Sequence, residues 1–274
     1  MKIAFQGKKG AYSEMAILSY FQKDVIATGY DLSEEVCEAL ENDEVAIGVL
    51  PVENSIVGNV AVNVDLLLNH HFFIIGEIYL PIKHCLLARK GTKIEDIKTV
   101  KSHPIALAQC HDFLVRNRIK GIPEFDTAGS SELLSKDDSL KEEGTISSSL
   151  SAQYYGLEIL SDNIQKVETN FTRFVVFVKE KNIPETLRQE KTSLAFSTNH
   201  NPGALLKCLE EFANHGLNLT KIESRPIPEN PFMYTFFVDF LGSIHDQNVQ
   251  DCLIKLKENT KSIKIFGSYP QGKF

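Results

Sequence analysis

The sequence predicts a mixed α/β fold with two small lobes, followed by a separate β-α-β-β-α-β unit. Three observations lead to this prediction. Strand-like apolar runs alternate with helix-like segments through residues 1–180, the stretch 179–191 is polar enough to be a linker, and residues 192–274 carry one further α/β repeat. We therefore predict one domain at 1–180 and another at 192–274.

Length and composition limit the possible functions. At 274 residues the chain exceeds the usual size of a single core. Its 29 basic and 36 acidic residues give a net charge of −7 without a Lys/Arg-rich block, so we expect a small-molecule partner and no nucleic acid. The chain enters a strand pattern at Met1 and has no apolar run of about 18 residues, so we expect a cytoplasmic protein without a membrane span. Five scattered cysteines and no His-Glu-x-x-His motif predict no metal and no cofactor.

The first lobe begins with a strand at Lys2 to Phe5 and a helix from Glu14 to Phe21, with Ser13 as a candidate N-cap. The turn between them contains Gly7 and Gly10, and its free N–H groups suit a carboxylate or phosphate. A simple strand-to-helix turn is the alternative, because the turn lacks the dinucleotide pattern.

A polar loop is predicted to follow the next strand. Residues 33–42 form the second predicted helix and residues 45–50 a buried strand, and the loop at 51–59 contains Glu53, Asn54 and Ser55. Ligands of open α/β sheets bind beyond the carboxyl ends of strands, so these side chains are candidates to meet one. The alternative is that Asn54 or Ser55 caps the next helix.

The second lobe repeats this order of strand, small polar loop and helix start. Apolar runs at 71–80 and 83–88, with Pro81 between them, lead into it. We predict strands at 99–101, 122–125, 145–148 and 157–160, and helices at 105–115, after 126–131, and at 149–155, the last ended by Gly156. Two such lobes would face each other across a cleft.

The segment Asn170 to Phe174 lies beside the apolar strand Phe174 to Val178. Arg is almost never fully buried unless it is paired, so we expect Arg173 at the strand's end with an anionic partner from the cleft. Pairing with a local Glu is the alternative.

The last eighty or so residues predict a ferredoxin-like unit. Its order is strand 193–197, helix 202–215, strand 217–225, strand 233–240, helix 246–259 and strand 263–267. Exposed sheet edges of such a unit are natural places for subunits to pair.

Short motifs in these loops occur together in one order. They are Gly7-x-x-Gly10-Ala11-Tyr12-Ser13, Pro51-Val52-Glu53-Asn54-Ser55-x-x-Gly58, Ser102-His103-Pro104 with Ala108-Gln109-Cys110, Asp126-Thr127-Ala128, Tyr155-Gly156-Leu157, Asn170-x-Thr172-Arg173-Phe174, 201–206 and Glu223-Ser224-Arg225-Pro226. In this combination the chain resembles prephenate dehydratase over essentially its whole length, and its tail resembles the ACT regulatory domain. The sequence departs from that pattern at Ile105, at Gly129-Ser130-Ser131 and at Ser147-Ser148; Ile105 removes a polar contact at that helix start.

The resemblance implies a two-lobed catalytic domain shaped like the periplasmic binding proteins, which would convert prephenate to phenylpyruvate, carbon dioxide and water. Thr172 and Arg173 are the expected catalytic residues. The expected substrate-binding residues are Tyr12, Ser13, Glu53, Asn54, Ser55, Ser102, Gln109, Cys110, Thr127, Asn170 and Phe174. Alternatives are an arogenate dehydratase, whose substrate has an amino group in place of the keto oxygen, and a non-catalytic amino-acid or anion sensor.

The chemistry assigns the catalytic pair different tasks. Threonine is a very weak acid, so we expect Thr172 to donate a hydrogen bond, or relay a proton, to the departing hydroxyl. We expect Arg173 to hold the pyruvyl carboxylate, since a tight grip on the reacting carboxylate would slow its loss.

The tail resembles a sensor for L-phenylalanine that works in a homodimer or homotetramer. The expected effector-binding residues are Asn201, Pro202, Gly203, Ala204, Leu205, Leu206, Glu223, Ser224, Arg225 and Pro226. The alternative is that Pro202 and Gly203 only begin a helix, while Arg225 pairs with Glu223.

Overall fold

The computed structural model describes residues 1–22, 25–137, 140, 142–227 and 230–273. They form two compact units. The first consists of Met1–Val60 with Ile78–Phe174, and the second of Ala61–Glu77 with Val175–Lys273. The segment Ala61–Glu77 thus belongs to the second unit, although it falls within the domain predicted at 1–180. The predicted domain limits themselves stay a prediction, and residue 274 lies outside the described residues.

The first lobe belongs to an α/β layer formed by residues 2–81 and 171–179. Its elements are β1 (Lys2–Gln6), α1 (Tyr12–Phe21), β2 (Ile26–Tyr30), α2 (Ser33–Glu41), β3 (Ile47–Asn54), β4 (Gly58–Asn59), α3 (Ala61–Asn69) and β5 (Phe72–Pro81). β1 pairs in parallel with both β2 and β3, and the sheet order is β2-β1-β3-β11-β5, where β11 is Phe171–Lys179. Parallel pairing places the carboxyl ends of β1 and β3 at the same edge.

The second lobe has its own sheet and core. Its elements are β6 (Cys85–Ala88), β7 (Thr99–Ser102), α4 (Pro104–Gln109), α5 (His111–Arg116), β8 (Lys120–Pro123), α6 (Thr127–Lys136), β9 (Glu143–Ser147), α7 (Ser149–Tyr155) and β10 (Glu158–Ser161). The sheet order is β10-β6-β9-β7-β8. Its core packs Leu86, Val100, Leu114 and Ile146 together. Gly156 ends α7 with a φ of 64°, as its position in the sequence predicts.

The tail forms the predicted β-α-β-β-α-β unit. Its elements are β12 (Lys191–Thr198), α8 (Ala204–Asn214), β13 (Leu219–Ile227), β14 (Asn230–Leu241), α9 (Gln247–Asn259) and β15 (Thr260–Tyr269). The sheet is antiparallel with the order β13-β14-β12-β15, which is the ferredoxin-like arrangement. The predicted α/β class, with two lobes and a ferredoxin-like unit, is confirmed.

Helix α3 is an element that the sequence analysis did not assign, and ion contacts within the second unit hold it. Lys264 of β15 places its ammonium group 2.9 Å from the carbonyl oxygen of Leu67 and 2.6 Å from that of Leu68. These carbonyls at the end of a helix have no partner within the helix, and they carry partial negative charge. Arg225 of β13 forms a two-pronged ion pair with Asp65 of the same helix, at 3.1 and 2.7 Å.

Three local predictions are corrected by the structure. Ser13 is not an N-cap: α1 begins at Tyr12, so Ser13 already lies in the first turn, and the Glu14 carboxylate accepts the Gly10 N–H at 2.6 Å. The loop predicted at 51–59 is mostly strand, because β3 runs on to Asn54 and turns back to pair with β4. The helix predicted at 105–115 is two helices separated at Cys110.

The strand predicted at 174–178 also begins earlier. β11 starts at Phe171, so Thr172 and Arg173 lie inside a strand and not beyond its end. Successive side chains of a strand point to opposite faces. The two expected catalytic residues are therefore directed to opposite sides of the sheet.

Candidate active site

A cavity of about 470 Å³ lies within the first unit, with walls from both lobes. The first lobe contributes the turn between β1 and α1, the β3–β4 hairpin and part of β11; the second contributes α4 and the start of α6. The predicted site residues in this lining are Tyr12, Ser13, Asn54, Gln109, Thr127, Thr172 and Phe174. Those not in the lining are Glu53, Ser55, Ser102, Cys110, Asn170 and Arg173.

Side chains alternate between the two faces of β11, so Thr172 and Arg173 lie on opposite faces. Thr172 and Phe174 line the cavity, whereas Arg173 is 5 % exposed and places its guanidinium 3.7 Å from a carboxylate oxygen of Glu53. The pairing is with a Glu, as in the alternative from the sequence, but this Glu is 120 positions away and not local. In this geometry both charged residues face each other, and a substrate carboxylate would have to replace Glu53 to reach Arg173.

Asn54 has an orientation that its neighbours determine. Its Oδ1 accepts the backbone N–H groups of Ile56 and Val57, both at 3.0 Å, and backbone N–H groups can only donate. The amide nitrogen therefore faces Thr172 Oγ1 at 3.0 Å, and it shares its two hydrogens among this oxygen, Asn170 Oδ1 and the Phe171 carbonyl oxygen, which lies 3.1 Å away. The Thr172 oxygen accepts that bond, so its own hydroxyl hydrogen can be donated to another group.

A chain of hydrogen bonds runs from Asn54 through Asn170 and Gln109 to His84. Asn54 also donates to Asn170 Oδ1 at 2.8 Å, which leaves the amide nitrogen of Asn170 to donate to Gln109 Oε1 at 3.0 Å. Gln109 Oε1 also lies 2.8 Å from His84 Nε2. Asn170 is fully buried behind the lining and links the hairpin of the first lobe to α4 of the second. The structure thus brings these predicted residues into one chain of hydrogen bonds.

His84 completes the network and was missed by the sequence analysis. It lines the cavity, is 3 % exposed, and places Nδ1 2.8 Å from the Tyr12 hydroxyl. Burial lowers the pKa of His84, and the hydrogen bond to Gln109 offsets this in part. The available signal was an ionisable residue directly before the wholly apolar strand Cys85–Ala88.

Ser55, Ser102 and Cys110 lie outside the lining and make structural contacts. Ser102 donates to the carbonyl oxygen of Ile146 at 2.6 Å, and Ser55 accepts the N–H of Phe171 at 2.9 Å. Both bonds connect neighbouring segments of backbone. Cys110 is fully buried, and burial raises the pKa of its thiol to about 12, so the thiol stays neutral.

The electrostatics of the cavity come mainly from dipoles. Its described lining residues include no Lys or Arg, and Asp126 is their only carboxylate. The ten-residue helices α1 and α6 begin at the lining residues Tyr12 and Thr127, which places two positive helix ends at the cavity. Burial lowers the pKa of His103, whose Nδ1 accepts the Ile105 N–H at 3.2 Å. The cavity therefore offers neutral hydrogen-bond donors and helix ends to an anion.

A smaller cavity of about 160 Å³ lies in the second unit at the start of α8. Its lining includes Asn201, Ala204 and Leu205 of the predicted effector residues, together with Tyr234 and Phe236 of β14. The other predicted effector residues lie outside that lining: Pro202, Gly203, Leu206, Glu223, Ser224, Arg225 and Pro226. The pairing considered for Arg225 with Glu223 is wrong, because Arg225 pairs with Asp65 while Glu223 lies 3.4 Å from Lys221.

Two absences complete the description of these residues. Within the described ranges, no group of three or more His, Cys, Asp or Glu side chains is arranged to hold a metal ion. No helix in the described part of the chain is long and apolar enough to cross a membrane.

Comparison with known proteins agrees with the resemblance. The prephenate dehydratase family model matches residues 3–182. Arogenate dehydratase 2 of Petunia hybrida is 40 % identical over 284 residues, which cover 98 % of this chain and 72 % of that protein. Two solved structures have a TM-score of 0.89: a quorum quenching acylase named GqqA, 31 % identical over 98 % of both chains, and a prephenate dehydratase from Arthrobacter aurescens in complex with L-Phe, 29 % identical over 99 % of this chain and 90 % of that one. The chain belongs to the prephenate dehydratase family and is a lyase-type dehydratase.

Proposed function

We propose that this enzyme converts prephenate to phenylpyruvate, carbon dioxide and water in the biosynthesis of L-phenylalanine. The observation that carries the proposal is the Thr172 hydroxyl at the cavity wall, whose oxygen accepts a hydrogen bond from Asn54 at 3.0 Å. Because the oxygen accepts this bond, the hydroxyl hydrogen points away from Asn54 and can be donated to a ligand.

The reaction defines what that hydrogen does. Prephenate loses one carboxylate as carbon dioxide and its ring hydroxyl as water, and aromatisation of the ring supplies the driving force. A donor at the departing oxygen stabilises the charge that develops there, and a positioned donor of this kind contributes about 10²–10⁴ in rate. Thr172 donates this bond. Asn54 fixes the direction of the donation.

Neutral groups bind the two carboxylates of prephenate in this proposal. The starts of α1 and α6 present backbone N–H groups, and Tyr12, Ser13 and Thr127 add hydroxyls. The contact between Arg173 and a substrate carboxylate stays a prediction, and it requires Arg173 to leave Glu53. Arg173 in its present position supports β11 from the opposite face and in this way positions Thr172.

Arogenate is the second candidate substrate. Several relatives are named arogenate dehydratases, and arogenate differs from prephenate by an ammonium group in place of the keto oxygen. The cavity contains one suitable partner for an ammonium group. Asp126 lies in the lining and caps α6 by accepting the Gly129 N–H, and it keeps acceptor capacity on its carboxylate.

An acylase activity, which is the description of GqqA, has less support in this cavity. Acyl transfer through a hydroxyl nucleophile needs a general base within hydrogen-bond reach of that hydroxyl. Among the described residues, the hydrogen-bond partner of the Thr172 side chain is the amide nitrogen of Asn54, which donates and cannot remove a proton. The geometry favours donation by Thr172 over nucleophilic attack.

Turnover of both substrates tests these proposals. Purified protein is given prephenate or arogenate, and phenylpyruvate or phenylalanine is quantified. We expect kcat/KM to be higher for prephenate, and Thr172→Ala to reduce kcat by about 10²–10⁴. Thr172→Ser is the matched control and should retain most of the activity, since it keeps the hydroxyl. An equal loss in both variants, or undiminished turnover in Thr172→Ala, contradicts the role of Thr172.

We also propose that the second unit is an ACT domain through which L-phenylalanine inhibits the enzyme. Support comes from the small cavity at the start of α8, with aromatic side chains on one side and the helix start on the other. The related protein from Arthrobacter aurescens was solved in complex with L-Phe. In the ACT domains that the tail resembles, the effector lies between subunits, so the proposal includes a homodimer or homotetramer; a cytoplasmic location belongs to it as well.

A titration tests the regulatory proposal. Prephenate turnover and sedimentation are followed while L-phenylalanine is added to wild type and to Leu205→Asp, which places a charge in the small cavity. We expect inhibition of wild type and a much weaker response of the variant with unchanged basal kcat. Activity and sedimentation that do not respond to L-phenylalanine would exclude this form of regulation.

A further inference from the structure

The cavity lining lacks the positive charge that its proposed substrate, a dianion, would be expected to need. Prephenate carries two carboxylates, whereas the described lining of the cavity contains no Lys or Arg and one carboxylate, Asp126. Its other ionisable residues are Tyr12, His84 and His103. Two anionic groups in a partly desolvated cavity strongly favour a nearby cation. A histidine is the residue in this lining that can become one near neutral pH.

The hydrogen-bond directions show which proton His84 lacks. Gln109 Oε1 is an acceptor because it receives the Asn170 amide, so His84 Nε2 carries a hydrogen and donates to it at 2.8 Å. In neutral His84 the other nitrogen, Nδ1, is therefore unprotonated and accepts the Tyr12 hydroxyl at 2.8 Å. The open position for a second proton is Nδ1.

Tyr12 has an alternative acceptor ready for its hydrogen. Its hydroxyl oxygen lies 3.1 Å from the backbone carbonyl oxygen of Lys83, so the hydroxyl can turn and donate there. In that state Tyr12 Oη accepts from a protonated Nδ1, and every member of the pair is still satisfied. Cationic His84 thus needs a rotation of one hydroxyl hydrogen and no movement of heavy atoms.

We propose that His84 takes up a proton when the anionic substrate enters the cavity, while Tyr12 transfers its hydrogen bond from His84 Nδ1 to the Lys83 carbonyl oxygen. The inference rests on the proposed dehydratase function, and it identifies His84 as the cation that the cavity offers to the anionic substrate. Free His84 is neutral because burial lowers its pKa, and bound carboxylates raise it again.

The reaction consumes a proton, which agrees with this role. The C–C bond to the departing carboxylate breaks and its electron pair completes the aromatic ring, while the C–O bond breaks with its pair on oxygen. The dianion then gives the phenylpyruvate monoanion, carbon dioxide and hydroxide, and hydroxide requires a proton to leave as water. Tyr12 lies between His84 and the cavity: its hydroxyl turns from the Lys83 carbonyl oxygen, gives its hydrogen to the hydroxide and takes the hydrogen of His84 Nδ1, so turnover returns His84 to its neutral state.

The tyrosine and the thiols next to His84 stay neutral and do not titrate in its place. Burial raises the pKa of Tyr12 well above 10.0, that of Cys85 to about 11, with the nearby Asp162 contributing, and that of Cys110 to about 12. Lys83 is exposed, and Lys166 pairs with Asp112 at 3.1 Å. His103 and Asp126 line the same cavity, so the test must separate them from His84.

Calorimetry counts the proton. Prephenate is titrated into Thr172→Ala protein, which binds but turns over slowly, in buffers of different protonation enthalpy. At about pH 7.5, above the ordinary pKa of histidine, we expect uptake of about one proton per site. Adding His84→Asn or His84→Gln should abolish the uptake, and adding His103→Asn should preserve it. Three results would overturn the proposal. Proton uptake could persist in both His84 variants, it could be lost only with His103→Asn, or the heat could show binding of prephenate without any proton uptake.

The pH dependence of the wild type gives a second readout that needs no variant to fold. Productive binding requires protonated His84, so kcat/KM should fall by about tenfold per pH unit above the pKa of free His84, which lies below 6.5. The decrease of kcat reports the pKa of His84 in the enzyme–substrate complex, so it should begin at a higher pH than the decrease of kcat/KM. Turnover with kcat/KM flat between about pH 5.5 and 8.5 overturns this inference alone, whereas absence of turnover with prephenate and arogenate overturns the proposed function and this inference together.

Discussion

Two buried polar networks in this chain are built from opposite kinds of groups. The cavity network of the first unit consists of hydroxyls, amides and one imidazole. The second unit buries a charged cluster, in which Lys191 Nζ lies 2.8 Å from a carboxylate oxygen of Glu77 and 3.9 Å from one of Asp239. The side chains of Lys191 and Glu77 are 3 % and 0 % exposed. One network has hydrogens that can reorient, and the other has charges that must stay paired.

The difference separates a functional network from a structural one. A buried ion costs several kcal/mol in lost hydration, which a partner at contact distance offsets, so a paired cluster is held in one arrangement. A neutral network costs less to bury, and its donors can turn towards a ligand. The hydroxyls of Thr172 and Tyr12 each have such a choice, whereas Lys191 lies between two carboxylates whose charge it must offset.

The largest expected effect comes from breaking the charged cluster. Lys191→Met leaves the Glu77 carboxylate buried without its nearest cation, so we expect the free energy of unfolding to fall by about 3–5 kcal/mol. Urea denaturation measures this change. The control is Lys191→Met with Glu77→Leu, which removes both charges and should restore much of the loss. A single variant as stable as wild type would show that the cluster is not structural.

The next effect comes from reversing one hydrogen bond in the cavity. Asn54→Asp keeps the acceptor for the N–H groups of Ile56 and Val57 but also loses the donor to Asn170 Oδ1 and to the Phe171 carbonyl oxygen, so urea denaturation must show that the variant is folded. A carboxylate cannot donate to Thr172; it accepts the Thr172 hydrogen instead and withdraws it from the substrate. We expect kcat to fall by about 10²–10³, as when one transition-state donor is removed.

A second Asn→Asp substitution in the cavity wall controls for the added negative charge of Asn54→Asp. Asn59→Asp places the same negative charge at the cavity wall without contacting Thr172. It should mainly raise KM for the anionic substrate. If Asn59→Asp reduces kcat as much as Asn54→Asp does, the direction of the Asn54 bond is not the cause.

The sequence predicted the strands and the loops of this site better than the direction of its side chains. Gly7, the Asn54 hairpin and Thr172 lie at the cavity as expected, because parallel strands gather their carboxyl ends at one edge. The error at Arg173 follows from one register detail. With the strand placed at Phe174, Arg173 was expected at its end, whereas a start at Phe171 directs it to the opposite face, next to Glu53.

The remaining misses involve partners that are distant in the sequence. His84 acquires its role from Tyr12 and Gln109, which lie on helices of different lobes, and the pattern around His84 shows neither contact. Arg225 pairs with Asp65, 160 positions away, on a helix that was not predicted. Local patterns predict elements well, but such pairings depend on how those elements pack.

The smallest expected effect distinguishes a partly exposed ion pair from the buried cluster in the same unit. Arg225 and Asp65 are 27 % and 41 % exposed, so solvent screens their attraction despite the two-pronged geometry. Asp65→Asn keeps the size of the side chain and should lower the free energy of unfolding by less than about 1 kcal/mol. Urea denaturation at low and high salt should show the difference from wild type shrinking as salt rises, since screening already weakens the pair. If Asp65→Asn lowers the free energy of unfolding as much as Lys191→Met does, and salt has no effect, the prediction is wrong. The contact of α3 with β13 would then be as important for stability as the buried Lys191 cluster.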